Sequence, residues 1–394
     1  MKDFWAEELQ NQRRGKLKKL AVFIGILVIL VILLILMIIY IYNLNFRRWC
    51  DENVLRKELL QEDTRTIELD GDENVQIYAY DKYICVFKNK SLEFYNRVGS
   101  QVSTIDLDIN KAVFVSNGKY MAICEENGQK FYLISGREKI FENEVEGNIT
   151  QINVNRNGYV SIVLSNASYK SIVDVYDRSG KSIFKTNLVS SIVADVSISQ
   201  DSKYLAIAEI DISGIIIQSS IQIISIELAQ TTPNESMLYK YEAPTDKLIL
   251  NIEYQEKGKL LCMYNDSIET LQNNTSTKII DLKENNIAFA TIELDNKIAI
   301  LKEISTGEYT SDTYASIINP ETLKERQYIT EDVAKSVLTV GNKIAINFGT
   351  ELHIISTNGF LIKKYISETE INDIVMTDNL VGVVYRDKIQ IINL

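Results

Sequence analysis

The chain has 394 residues, is 46% hydrophobic and carries a formal charge of −11. That apolar content can build a sizeable core, while so acidic a balance repels phosphate polymers and argues against nucleic-acid binding, which needs clustered Lys and Arg. With one histidine, His353, and cysteines scattered at 50, 85, 124 and 262, no set has zinc-ligand spacing.

Residues 1–19 form a basic tail, with Lys2, Arg13, Arg14, Lys16, Lys18 and Lys19 against three acids, a net of +3 that leaves −14 for residues 47–394. Residues 20–42 follow with no charge at all, and eighteen of the twenty-three are Leu, Ile, Val or Phe. At 1.5 Å rise per residue they make about 35 Å of helix, enough to cross a bilayer core of about 30 Å. Each such apolar residue favours insertion by roughly 0.3–0.6 kcal/mol near the membrane centre. The bulky Asn43-Leu44-Asn45-Phe46-Arg47-Arg48-Trp49 beyond the span is no signal-peptidase site, so the span reads as a signal anchor. The larger basic cluster precedes it, which predicts a cytoplasmic N-terminus and an extracellular C-terminal domain at the cell membrane. Residues 43–62 are expected as a stalk, helical over 51–62 where Glu, Leu, Lys and Arg dominate.

From residue 63 to residue 394 the texture is all-β. Val, Ile, Tyr and Phe alternate with polar residues in runs of five to seven, broken by Asn-Gly, Ser-Gly and Lys-Gly turns. The runs recur as units. One hairpin, Val113-Phe114-Val115-Ser116-Asn117-Gly118-Lys119-Tyr120, returns near 192–206 and 338–345. A second, Leu92-Glu93-Phe94-Tyr95-Asn96-Arg97-Val98-Gly99, returns at Val173–Lys181 and more weakly at His353–Gly359. First strands are placed near 75, 112, 150, 192, 248, 287, 334 and 371. Four strands per ~40 residues is the period of a β-propeller blade. The prediction is a propeller of eight four-stranded blades, with seven as the alternative. Insertions at 229–247 and 303–316 account for the two longest units. The last unit lacks a fourth strand, which Thr64–Leu69 can supply by pairing with 388–393.

An N-terminal anchor followed by degenerate units such as Tyr176-Asp177-Arg178-Ser179-Gly180-Lys181 resembles the DUF5711 family of membrane-anchored propellers from clostridia and relatives. The resemblance covers most of the chain and implies a bacterial surface setting and no assigned chemistry. More distantly the chain looks like WD40 and quinoprotein propellers, but Trp5 and Trp49 are its only tryptophans and neither lies in a blade.

The sequence names no catalytic, cofactor-binding or metal residue. His353 lies in a strand between Leu352 and Ile354, and no GxSxG elbow exists to make a triad with it. Asp70-Gly71-Asp72-Glu73-Asn74 is acidic but lacks calcium-loop spacing, and is read as a solvated turn. Cys85, Cys124 and Cys262 sit in apolar runs and are expected as buried free thiols. The function expected is therefore non-enzymatic: a binding or scaffolding module for a protein partner at the cell envelope. The alternative is an envelope enzyme acting on a glycan or peptide through acidic residues in the propeller channel.

Overall fold

The computed structural model describes residues 2–55, 57–60, 64–69, 75–255, 258–283, 286–307 and 310–394, in two units, Met1–Glu58 and Leu59–Leu394. The expected turn at Asp70–Asn74 lies outside the described residues.

The first unit begins with one helix, Lys2–Tyr42. Its segment Val22–Tyr42 is long and apolar enough to cross a membrane. The large side chains from Val22 to Ile39 are exposed on every side. Asn43 interrupts the helix and starts another, Leu44–Asn53, by accepting the Phe46 N–H on its Oδ1 at 2.9 Å. The buried Arg47 then donates back to the carbonyls of Tyr40 and Ile41, satisfying two acceptors at the first helix's C-terminus. Tyr40 donates to Asp51 at 2.7 Å, and Lys57 pairs with the same carboxylate. The structure thus differs from a helical stalk over 51–62. The helix ends at Asn53, and Glu58–Leu60 is a strand beside Leu361–Ile366, where ladder hydrogen bonds outweigh the modest helix propensity of Glu and Leu.

The second unit is a ring of eight antiparallel sheets. Blades 1 to 8 span 76–106, 112–144, 148–188, 191–242, 249–281, 287–330, 336–366 and 373–393. First strands begin within two residues of the positions read from the sequence. Blade 8 is completed by Arg65–Glu68, which pairs antiparallel with 388–391, so the ring closes with strands from both ends of the domain. First strands of neighbouring blades approach one another around the axis, and fourth strands lie outermost.

A blade buries both faces, which explains the unbroken apolar runs of second strands such as Tyr83–Lys88 and Val160–Ser165. The core is accordingly eight clusters, one between each pair of adjacent blades. Tyr83, Phe87 and Phe94 of blade 1 pack on Met121 and Tyr132 of blade 2, and Ile67 of the closing strand packs with Ile84 of blade 1 and Ile389 of blade 8. Polar side chains stitch the inner seams. Gln76 both donates to and accepts from the Ala112 backbone. Hydroxyls at third strands, Ser171, Ser219 and Thr313, accept an N–H from the start of the next blade, at Val193, Ile249 and Ala334. All four cysteines are free, with Cys85, Cys124 and Cys262 buried.

Candidate functional site

In a four-stranded meander the first–second and third–fourth turns share one end, here called the turn end. The second–third turns and the links between blades share the other, the link end. Candidate sites are therefore the two ends and the inner rim.

The expected insertion at 229–247 is packed structure rather than a free loop. Ser225 caps a short helix, Ile226–Thr231, whose Ile226 and Ala229 are buried in the seam between blades 3 and 4, and Met237–Glu242 is the blade's fourth strand. The insertion at 303–316 is a lengthened hairpin at the link end, formed by Lys297–Ser305 and Ser311–Ile318. A more exposed projection was missed by sequence reasoning. Blade 4 extends its central hairpin, Tyr204–Asp211 with Gln218–Ser225, to a tip at 212–217. Asp211 holds the tip by accepting the Ser213 N–H and hydroxyl at 2.8 and 2.7 Å. Ile215 is fully exposed, and Ile216 and Ile217 are 63% and 53% exposed. Val189 and Ile192, at the base, are exposed too. The signal was available as Gly214-Ile215-Ile216-Ile217, an apolar run directly after a turn glycine.

At the inner rim, Asp195, Glu253 and Glu293 come from the first strands of blades 4, 5 and 6. Burial pushes the Asp195 carboxyl up to about 6. Burial, reinforced by Asp195 and Glu293, pushes Glu253 up to about 8. Their partners are mostly structural. Asp195 accepts the Ile252 and Val196 N–H groups at 2.9 and 2.8 Å, and Ser197 donates to Glu253 at 3.4 Å while accepting the Tyr254 N–H. Asp195 and Glu253 therefore fasten blade 4 to blade 5, and burial keeps Glu253 protonated at neutral pH.

His353 is buried in the third strand of blade 7. Its Nδ1 lies 2.9 Å from the Tyr328 hydroxyl, its Nε2 lies 3.2 Å from Glu351, and Phe348 packs on the ring. Glu351, hydrogen-bonded by His353 and Lys364, is held down at about 2. Both ring nitrogens are engaged by structural partners. Among the described residues no three His, Cys, Asp or Glu side chains gather as a metal set.

These features define an eight-bladed β-propeller preceded by an apolar helix. The chain belongs to the family described as "Family of unknown function (DUF5711)", which it matches over residues 60–394. No curated protein matches it in sequence. Among solved structures, Chaetomium thermophilum Sqt1 bound to the N-terminus of the ribosomal protein L10 is similar, with a TM-score of 0.54 at 10% identity, covering 84% of this chain and 99% of that one. BamB from Moraxella catarrhalis gives 0.50 at 13% identity, covering 84% and 96%. The dihydro-heme d1 dehydrogenase NirN in complex with DHE gives 0.51 at 10%, covering 84% and 76%. At such identities the likeness is one of fold.

Proposed function

We propose that this protein is a membrane-anchored, extracytoplasmic propeller that binds or scaffolds a protein partner at the cell envelope and has no catalysis of its own. The observation that carries the reading is the blade 4 tip, where three consecutive isoleucines stand in water. Exposed apolar surface costs about 25 cal/mol per Å², so a projecting apolar tip is retained where something covers it. A similar propeller, Sqt1, was solved holding the N-terminus of another protein. The apolar helix 22–42 and the basic residues before it support the anchor and its orientation. The enzyme reading draws on Glu253 and Asp195, whose raised carboxyls could share acid and base roles. It is weaker, because both Asp195 oxygens are already used by backbone N–H groups.

A benzophenone side chain at position 216 of the full chain in native membranes should give one discrete photo-adduct, lost when Ile215 and Ile217 become serine. The same probe at Asn274 should give none. Equal adducts from both positions, or none from either, would refute the reading. Orientation has its own test. In a Cys50→Ser background, Thr245→Cys should react with an impermeant maleimide on intact cells stripped of wall, since the other three thiols are buried. Labelling only after lysis would reverse the topology.

A further inference from the structure

Three successive blades repeat one arrangement at the turn end. Blade 1 has Lys82 in its first–second turn and Arg97 in its third–fourth turn, blade 2 has Lys119 and Arg137, and blade 3 has Arg156 and Arg178. All six are exposed. None forms an ion pair with a described carboxylate, whereas at the link end of the same blades Lys90 and Lys130 pair with Asp108, and Lys111 pairs with Glu126. These turns carry seven basic residues, the six above and Lys181, against Asp81 and Asp177, a net of +5 in a chain of −11. The link-end loops of these blades balance Lys90, Lys111 and Lys170 against Asp108, Glu126 and Glu146. The third–fourth connections of blades 4 to 7 hold no arginine.

The arginines are presented by rigid turns. Asn96 Oδ1 accepts the N–H groups of Val98 and Ser100, and Asp177 Oδ1 accepts those of Ser179 and Lys181. Gly99 and Gly180, at φ +81° and +84°, close both turns, so Arg97 and Arg178 occupy the same place in the same turn. Arg137 follows Gly136 and donates from Nη1 to the Val102 carbonyl of blade 1 at 3.2 Å, which sets it beside Arg97. Beside them the turn ends of blades 1 and 2 border a concavity of about 730 Å³, cationic at Lys82, Arg97 and Arg137 and apolar at Tyr83, Val98 and Val102, with blade 8 forming the facing wall through Asn379, Leu380, Asn393 and Leu394.

We infer that the turn end of blades 1–3 is a docking surface for an acidic polypeptide segment, with its carboxylates on the arginine turns and an apolar side chain in the concavity. The charge is complementary, and the guanidinium forks, without a carboxylate partner among the described residues, are shaped for carboxylates. The apolar floor chooses between anion sources: a phosphate polymer or lipid headgroup offers nothing to Tyr83, Val98 and Val102, whereas a peptide bearing Leu or Phe among acids satisfies both halves. The surface lies at the opposite end of the ring from the isoleucine tip, and its assignment does not depend on that tip or on the anchor.

The test is a displayed library of random peptides, about a dozen residues long, selected on the full chain in neutral-lipid nanodiscs. Recovered peptides should be acid-rich with at least one large apolar residue, and their binding should weaken steeply with salt. Arg97→Glu with Arg137→Glu should weaken binding about ten-fold or more, as should Arg178→Glu alone to a smaller degree, while Lys170→Glu at the link end should leave it unchanged. Melting temperatures equal to wild type would show that the variants fold. Recovery of neutral or basic peptides, recovery of none, or retained affinity in the folded double variant overturns the proposal. So does polyphosphate or a phosphatidylglycerol vesicle binding the same residues more tightly than the best peptide.

Discussion

Deletion of residues 64–69 should open the ring and lower the melting temperature of the full chain more than any other truncation of comparable length. Arg65–Glu68 is the fourth strand of blade 8, and without it Lys388–Asn393 becomes an unpaired edge. Ile67 is 3% exposed and lies between Ala79 and Ile84 of blade 1 and Ile389 and Ile391 of blade 8, so the strand both completes blade 8 and fills its seam with blade 1. The blade 1 turn rests directly on it: a Cβ at Gly99 would meet the Thr66 carbonyl at 2.8 Å. Ile67→Ala alone should cost about 2–4 kcal/mol by lost burial and an unfilled cavity. The deletion adds several ladder hydrogen bonds, each worth about 1 kcal/mol net, which together approach the stability margin of a domain. Thermal unfolding in detergent followed by near-ultraviolet circular dichroism reads both. Removing 43–55, which includes the helix Leu44–Asn53, should leave the propeller transition in place. A deletion reaching residue 60 takes away the strand Glu58–Leu60 as well and should fall between the two. Equal melting of the 64–69 and 43–55 deletions would mean that blade 8 holds without its clasp.

That closure was legible because its signals are local. Thr64–Leu69 alternates correctly for a strand, the last unit is one strand short, and each hairpin carries its own turn residues. Eight blades follow from the same spacing. What the sequence concealed depends on contacts between distant residues. Glu58-Leu59-Leu60 has helix-forming composition, and only the edge of blade 7 makes it a strand. Residues 229–247 looked like a loop because Pro233 and Pro244 break the pattern, yet the segment delivers Ala229 to a core between blades. The rim carboxylates were just three among many acids. Asp195 becomes distinctive only when the ring brings Ile252 to its side chain, 57 residues along the chain. The basic turns were visible singly, as Asn96-Arg97-Val98-Gly99 and Asp177-Arg178-Ser179-Gly180. Their common face required the topology.

The propeller should be more stable at pH 5 than at pH 9, and Glu253→Gln should remove most of that difference. Glu253 titrates at about 8 in the fold against an ordinary 4.5, through burial first and then through Asp195 and Glu293. A carboxyl raised on folding binds its proton more tightly in the native state. Its contribution is therefore complete below the ordinary value and is lost as pH climbs through 4.5 to 8. A shift of that size corresponds to a few kcal/mol, since each unit is about 1.4 kcal/mol. Asp195, raised to about 6, adds to the lower part of the same window. Glu351, held at about 2, works in the opposite sense, but its stabilisation is present above the ordinary carboxylate range and leaves pH 5–9 untouched. Gln at position 253 keeps an acceptor for Ser197 and carries no charge to desolvate, so the variant should exceed wild type in melting temperature at pH 9 and match it at pH 5. A wild-type melting temperature that is flat or rising across this interval, or a variant with the same slope as wild type, would place the buried proton elsewhere.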